Sequence, residues 1–245
     1  MDVGIVDISS GIITIIYVIL NFFIGLKISS TYKKQKMVEY LYVGIAWLGI
    51  GFPLIPDVLK FLFSFYNPPL SDFFLISLYA IFNIILIPFV VLFWLIALTR
   101  LFQLNNLNRR IILIGYAIFS MILEIFIIFF LFTDLDMIGK TGSIPYQVTW
   151  STLSDMVLLS NLGVVLITGF LFARALIISQ QNTIKLRGKI LFFAFSTFII
   201  GSIIDMLYTT AISNIIARAI LMVSSLEFYL GFLFPKWLEN YSQEK

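Results

Sequence analysis

Residues 73–99 read FFLISLYAIFNIILIPFVVLFWLIALT, a run of twenty-seven residues without one charged side chain. A helix needs about 20 mostly apolar residues to cross the hydrocarbon core of a bilayer. A run this long that lacks both acids and bases therefore predicts a transmembrane helix. The same search along the whole chain predicts seven spans, at residues 6–28, 38–60, 73–99, 110–132, 149–178, 186–209 and 213–235.

The composition points to the same environment. Of the 245 residues, 60% are hydrophobic and only 12% are charged, and the mean hydropathy is +1.04. A soluble domain of this size would have about a quarter of its residues charged. The sequence therefore predicts an all-α, multi-pass protein of the cell membrane. We expect one domain, residues 1–245, because no stretch is long and polar enough to be a linker.

The Lys and Arg residues predict how the spans are oriented. Thirteen of the sixteen lie at one set of loops and span ends, and the opposite set holds Lys60, Lys140 and Arg218. Basic residues are concentrated in cytoplasmic loops. The N-terminus is therefore predicted to lie outside and the C-terminus in the cytoplasm. The same bias accounts for the pI near 9 without a nucleic-acid partner.

Two residue types are missing from the chain, namely Cys and His. Disulfides, Cys-held iron–sulfur clusters, His-ligated haem and zinc sites built on His are therefore excluded. Nucleophiles activated by His are excluded as well. The sequence predicts a protein that is not an enzyme and that has no catalytic residues, no metal site and no cofactor.

Among the ionisable residues inside the predicted spans, where an unpaired charge is costly, five bear on function. They are Glu124, Asp155, Asp205, Arg218 and Glu227. Asp205 and Arg218 lie at similar depths on consecutive antiparallel spans, so we expect them to form an ion pair. Glu227 lies deeper and projects from the helix face opposite Arg218. It is expected either to have another partner or to be protonated.

The outer half of the bundle is the predicted binding site. Asp155 shares a helical face with Asn161, and Glu124 is expected at a similar depth. Three carboxylates near one Arg imply that one acid is neutral or that a cation enters. We therefore predict an outer polar cavity for a small ligand, preferably a cation, bound by Glu124, Asp155, Asn161, Asp205 and Arg218. The alternative is a structural Asp205–Arg218 clamp, with Asp155 reaching toward the interface.

Two stretches carry a resemblance to a known group of proteins. One runs from Leu186–Lys189 to Ile203–Asp205, and the other from Ser225–Tyr229 to Phe234–Trp237. Together they resemble an uncharacterised family of archaeal seven-helix membrane proteins. More distantly, the seven-span arrangement is similar to the seven-helix sensor modules of archaeal histidine kinases. The resemblance implies a sensor, and it transfers no site residue. About ten residues follow the last predicted span, so any effector is expected to be a separate protein.

Three further functions compete with a receptor-like sensor. A small-molecule or ion-coupled transporter is the main alternative, although no unwound helix or internal repeat is evident near the midplane. Asp155 and Asp205 could form the carboxylate dyad of an intramembrane protease, but neither follows a Gly-x-Gly motif. A structural subunit is the last alternative. A sensor would contact its cytoplasmic partner through the basic loops at residues 29–36, 101–110 and 180–189.

Prolines are expected to disturb two of the spans. Pro53 and Pro56 lie in the second span, and Pro88 follows Asn83 by five residues in the third. Each proline removes a helical hydrogen bond. Kinks are therefore predicted at these positions.

Overall fold

A computed structural model of the protein describes residues 4–66, 70–141, 148–208, 210–235 and 238. Within these residues, seven helices are long and apolar enough to cross a membrane, which confirms the predicted number. Spans 1 to 7 are Ile5–Gln35, Val38–Ser64, Asp72–Leu101, Asn106–Thr133, Thr152–Ile177, Asn182–Leu207 and Ala211–Leu233. Lys236 and Trp237, which carry part of the predicted resemblance, lie outside the described residues.

Spans 2 and 3 are interrupted, whereas the other five are continuous α-helices. Span 2 comprises the helix Val38–Ile50, a 3-10 turn at Phe52–Leu54 and the helix Ile55–Ser64. Span 3 comprises the helix Asp72–Ala80, a π-helical segment at Ile81–Ile85 and the helix Ile87–Leu101. The predicted disturbance of these two spans by proline is confirmed, and the 3-10 and π-helical forms of the two interruptions are new. Proline lies at or just after each interruption and withholds a backbone donor there.

A short β-hairpin was also not predicted, so the fold is not purely helical. Strand β1, Gly139–Thr141, pairs antiparallel with strand β2, Val148–Trp150, and Gly139 lies opposite Trp150. The predicted span 149–178 therefore begins too early. Its helix starts at Thr152 because the Ser151 side chain caps it by accepting a hydrogen bond from the backbone N–H of Ser154.

The β-hairpin marks one end of the bundle, which we call the hairpin end. Thr141 Oγ1 donates a hydrogen bond of 2.8 Å to Asp72 Oδ1, which joins β1 to the start of span 3. The opposite end, which we call the basic end, carries most of the Lys and Arg side chains. Span 1 continues seven residues past its predicted boundary at residue 28, up to Gln35. It ends there because Lys36 adopts a left-handed conformation with φ 58°.

The spans do not pack equally tightly. Small residues let helices approach closely in membranes, and Gly44 of span 2 lies directly against the backbone of Ser29 and Gly25 in span 1. In the most apolar 18-residue stretch of span 7, 44% of the residues are buried. In the corresponding stretch of span 4, only 11% are buried. Span 4 is therefore a peripheral helix, which contributes the buried side chains of Tyr116, Ile127 and Leu131 to the core.

Candidate functional site

The side chain of Arg218 is the centre of the candidate site. It is only 3% exposed, and it projects from span 7 toward two acids on other spans. Its Nη2 atom lies 2.8 Å from Asp57 Oδ2 of span 2, and its Nη1 atom contacts Asp205 Oδ1 of span 6. We call Asp57, Asp205 and Arg218 the ionic cluster. Burial strengthens the attraction between these charges, since little water screens them.

Tyr79 extends the ionic cluster to span 3. Its buried hydroxyl donates a hydrogen bond of 2.5 Å to Asp57 Oδ1, while Arg218 occupies the other oxygen of that carboxylate. Lys60 Nζ lies 6.0 Å from the centroid of the Tyr79 ring, within range of a cation–π contact. Four spans are therefore tied together by side chains at one depth of the bundle.

The interruptions of spans 2 and 3 face each other beside this cluster. Asn83 belongs to the π-helical segment, and its Nδ2 donates to Pro53 O at 3.1 Å and to Tyr79 O at 3.2 Å. A side-chain amide thus supplies a donor to a carbonyl at the break in span 2. Single π-helical turns inside helices are frequent at functional sites. The local geometry therefore marks the same region as the charges do.

A cavity of about 230 Å³ lies next to the ionic cluster, whose three residues form part of its lining. Six spans line it, and span 4 contributes no residue; Val148 and Trp150 of β2 line it as well. The uncharged polar side chains of its lining are Tyr17, Tyr79, Asn83, Trp150, Asn161 and Ser202. Most of the other lining residues are aliphatic. The main cavity, as we call it, is therefore charged at the hairpin end and apolar toward the middle of the bundle.

Three of the five predicted ligand-binding residues line the main cavity. These are Asn161, Asp205 and Arg218, and the predicted ion pair between Asp205 and Arg218 is present. Asn161 Oδ1 accepts a hydrogen bond of 2.6 Å from the hydroxyl of Tyr116 in span 4. These polar groups therefore converge as the sequence predicts. Asp57, the second acid of the ionic cluster, was not among the predicted residues.

The other two predicted residues, Glu124 and Asp155, do not line the main cavity. Glu124 is half-buried at the edge of the packed face of span 4, the span that stays outside the lining. Asp155 follows Ser154, whose Oγ donates to Ile138 O at 2.7 Å. Ser154 is fully buried, and successive helical residues are rotated by about 100°. Asp155 therefore points away from the side of span 5 on which Ser154 is buried. Their predicted place in the cavity was wrong.

Three residues of the site were not predicted from the sequence, namely Asp57, Tyr79 and Asn83. Asp57 lies near the end of the predicted span 38–60, where a charged side chain can reach the interface. The signal that could have found it is its position directly after Pro56, in a segment that proline interrupts. Tyr79 and Asn83 are spaced by four residues in a span without charges, and that spacing places both on one helical face.

Glu227 has the separate partner that its helical position predicted. The Thr197 hydroxyl of span 6 donates a hydrogen bond of 2.5 Å to Glu227 Oε2. Neither residue lines the main cavity. This contact therefore joins spans 6 and 7 independently of the ionic cluster.

The arrangement suits charge recognition better than metal chemistry. Among the described residues, no group of three or more His, Cys, Asp or Glu side chains could hold a metal ion. A guanidinium already lies between the two carboxylates of the cluster. Asp205 pairs with Arg218 and Asp155 lies outside the cavity lining, which argues against the aspartyl dyad as well.

Comparisons with protein-family models, with curated proteins and with solved structures find no match for this chain. The resemblance of residues 185–238 to archaeal seven-helix proteins therefore stays a prediction.

Proposed function

We propose that the protein is a receptor-like membrane sensor that binds a small organic cation in the main cavity. One observation carries the proposal: the lining holds two carboxylates, Asp57 and Asp205, against one guanidinium, Arg218. The excess formal charge in the lining is therefore one negative unit. In a membrane interior such an excess favours a positively charged ligand. The aliphatic remainder of the lining suits an apolar ligand body.

A sensor also needs a route to the cytoplasm. In the proposed orientation the hairpin end lies outside and the basic end lies in the cytoplasm, as the excess of Lys and Arg favours. The segments at 29–36, 101–110 and 180–189 all belong to the basic end. They would contact a separate cytoplasmic signalling protein, and the bilayer would surround the seven spans.

The orientation can be tested by labelling cysteines, because the chain has none of its own. We expect Lys140→Cys to react with a membrane-impermeant thiol reagent added to intact cells. Lys34→Cys, Asn105→Cys and Asn182→Cys should react only after the cells are opened. Labelling of position 34 in intact cells would show that the orientation is reversed.

Binding can be tested with a panel of small amines and tetraalkylammonium ions, using thermal unfolding of the purified protein as the readout. A ligand that binds the folded state raises the unfolding temperature in a concentration-dependent way. We expect stabilisation by cations and not by their neutral alcohol counterparts. Asp57→Asn should weaken cation binding by about tenfold or more, since a charged hydrogen bond contributes about 1.5–3 kcal/mol.

Glu124→Gln is the matched comparison for Asp57→Asn, because it removes a half-buried carboxylate that lies outside the cavity lining. It should leave the dissociation constant for the same cation unchanged. A panel in which no cation stabilises the protein would contradict the proposed function. Weaker binding in Glu124→Gln together with normal binding in Asp57→Asn would place the site where the sequence alone had predicted it.

A transporter of organic cations is the second candidate function. The interruptions at Phe52–Leu54 and Ile81–Ile85 lie beside the cavity, and transporters bind substrates where helices are broken. Uptake of a radiolabelled amine into vesicles separates the two candidates. A sensor should bind the amine without carrying it, whereas a transporter should accumulate it inside the vesicles.

A further inference from the structure

A second, smaller cavity of about 30 Å³ lies next to the main cavity. The two share a wall of five residues, namely Ile50, Val90, Val91, Val165 and Phe198. The remaining lining of the small cavity is mostly aromatic and contains Trp47, Phe195 and Phe228. The two cavities are therefore adjacent, with only apolar side chains between them, and we call them together the cleft.

The same spacing recurs on three spans that build this cleft. Each residue of the ionic cluster has an aromatic residue ten positions away toward the basic end. The pairs are Asp57 with Trp47 in span 2, Asp205 with Phe195 in span 6, and Arg218 with Phe228 in span 7. Ten residues correspond to about 15 Å of helix rise.

The three aromatic residues form one layer. The ring centroids of Trp47 and Phe228 lie 4.1 Å apart, and those of Phe195 and Phe228 lie 4.7 Å apart. The cleft thus has a charged layer at one end and an aromatic layer at the other. A ligand that contacts both layers has to be elongated.

The aromatic layer contains one unsatisfied polar group. Trp47 is 4% exposed, and no acceptor in the described part of the chain lies within hydrogen-bonding distance of its buried Nε1 atom. Trp94, which also lines the small cavity, donates its own indole N–H to Thr168 Oγ1 at 2.9 Å. No polar atom of the lining is exposed in the small cavity, so both indole nitrogens point away from it. The far end of the cleft therefore favours an apolar ligand tip.

We infer that the ligand is an elongated aliphatic amine with an apolar tip at the end opposite its ammonium group. This inference rests on the proposed function, since the ammonium group occupies the acidic end of the main cavity. The apolar chain follows the shared wall, and its tip lies against the aromatic layer. The cleft thereby selects the length of the ligand and excludes a polar group at its far end.

The length is tested with butylamine, hexylamine, octylamine and decylamine, using equilibrium dialysis of the protein in nanodiscs. Binding to empty nanodiscs is subtracted, so that partition into lipid does not contribute. We expect the affinity, referred to the free aqueous amine, to rise by about fourfold for each methylene that enters the cleft. The rise should stop once the cleft is full.

Val43→Ile provides the matched variant, because Val43 lines the small cavity and not the main one. The added methylene should weaken binding of the longest amine that fits and leave butylamine unaffected. Val223→Ile is the control, since Val223 is 51% exposed on the outer face of span 7. Equal affinities of the wild type and Val43→Ile for every amine would overturn the length selection.

The apolar tip is tested by comparing octylamine with its ω-hydroxy derivative. The wild type should bind octylamine about tenfold more tightly, because the small cavity offers no hydrogen-bond partner to the hydroxyl group. Equal affinities for the two amines would overturn the apolar tip. Binding of the amines without dependence on length or on the terminal hydroxyl would contradict this inference alone. If no amine binds, the proposed function fails with it.

Discussion

Replacing Arg218 with Gln is expected to lower the free energy of unfolding by about 3–5 kcal/mol, the usual cost of breaking a buried ion pair. The reason is that both Asp57 and Asp205 lose their cationic partner. These carboxylates are 15% and 25% exposed, so water compensates them only in part. Unfolding in mixed detergent micelles would measure the effect.

The pairing of one guanidinium with two acids predicts a specific order among related variants. Asp205→Asn alone should cost less than Arg218→Gln, because Arg218 keeps its contact with Asp57. If Asp205 and Arg218 formed an isolated pair, the two single changes would be similarly severe. The double change Asp57→Asn with Asp205→Asn should again be severe, since it leaves the buried guanidinium without a carboxylate.

Recovery experiments distinguish a pair from a triad. If Asp205 and Arg218 formed an isolated pair, removing both would restore most of the stability. In the structure this double change removes the guanidinium from Asp57 and leaves its hydrogen bond from the hydroxyl of Tyr79. We therefore expect substantial recovery only when Asp57→Asn is added. Near-complete recovery in the double variant at 205 and 218 would show that Asp57 plays no part.

Gly44→Ala should destabilise the protein by about 1–3 kcal/mol or more, the range for overpacking a tight interior. A Cβ atom at Gly44 would lie 2.5 Å from the backbone nitrogen of Ser29 and 2.7 Å from the carbonyl oxygen of Gly25. These are main-chain atoms, so no rotation of a side chain can relieve the contact. Spans 1 and 2 would have to move apart, and the buried Trp47 beside Gly44 would lose packing.

Gly163→Ala is the matched control, made on span 5. No heavy atom that the structure describes lies within 4 Å of a Cβ built at this position, apart from the helix's own nearby backbone. Alanine favours the helix over glycine by about 0.8–1.0 kcal/mol, so this change should be neutral or slightly stabilising. Similar losses at Gly44 and Gly163 would mean that helix approach does not explain the effect.

Local properties of the chain determined the seven spans. A run such as 73–99 must avoid water along its whole length, and the bilayer fixes how long it must be. The pairing of Asp205 with Arg218 could also be predicted, because a short connection forces two consecutive spans to run antiparallel at a known offset. These inferences need only hydropathy, helical periodicity and distance along the chain.

Tertiary structure alone decided which other groups join that pair. Asp57 is 161 residues from Arg218 along the chain, and no periodicity relates spans 2 and 7. Whether Glu124 faces the cavity depends on which side of span 4 packs, and span 4 is peripheral. An apolar span can rotate in lipid without exposing its polar backbone. The rotation of span 4 about its own axis is therefore set by the helices that it packs against. Hydropathy predicts only that this span crosses the membrane.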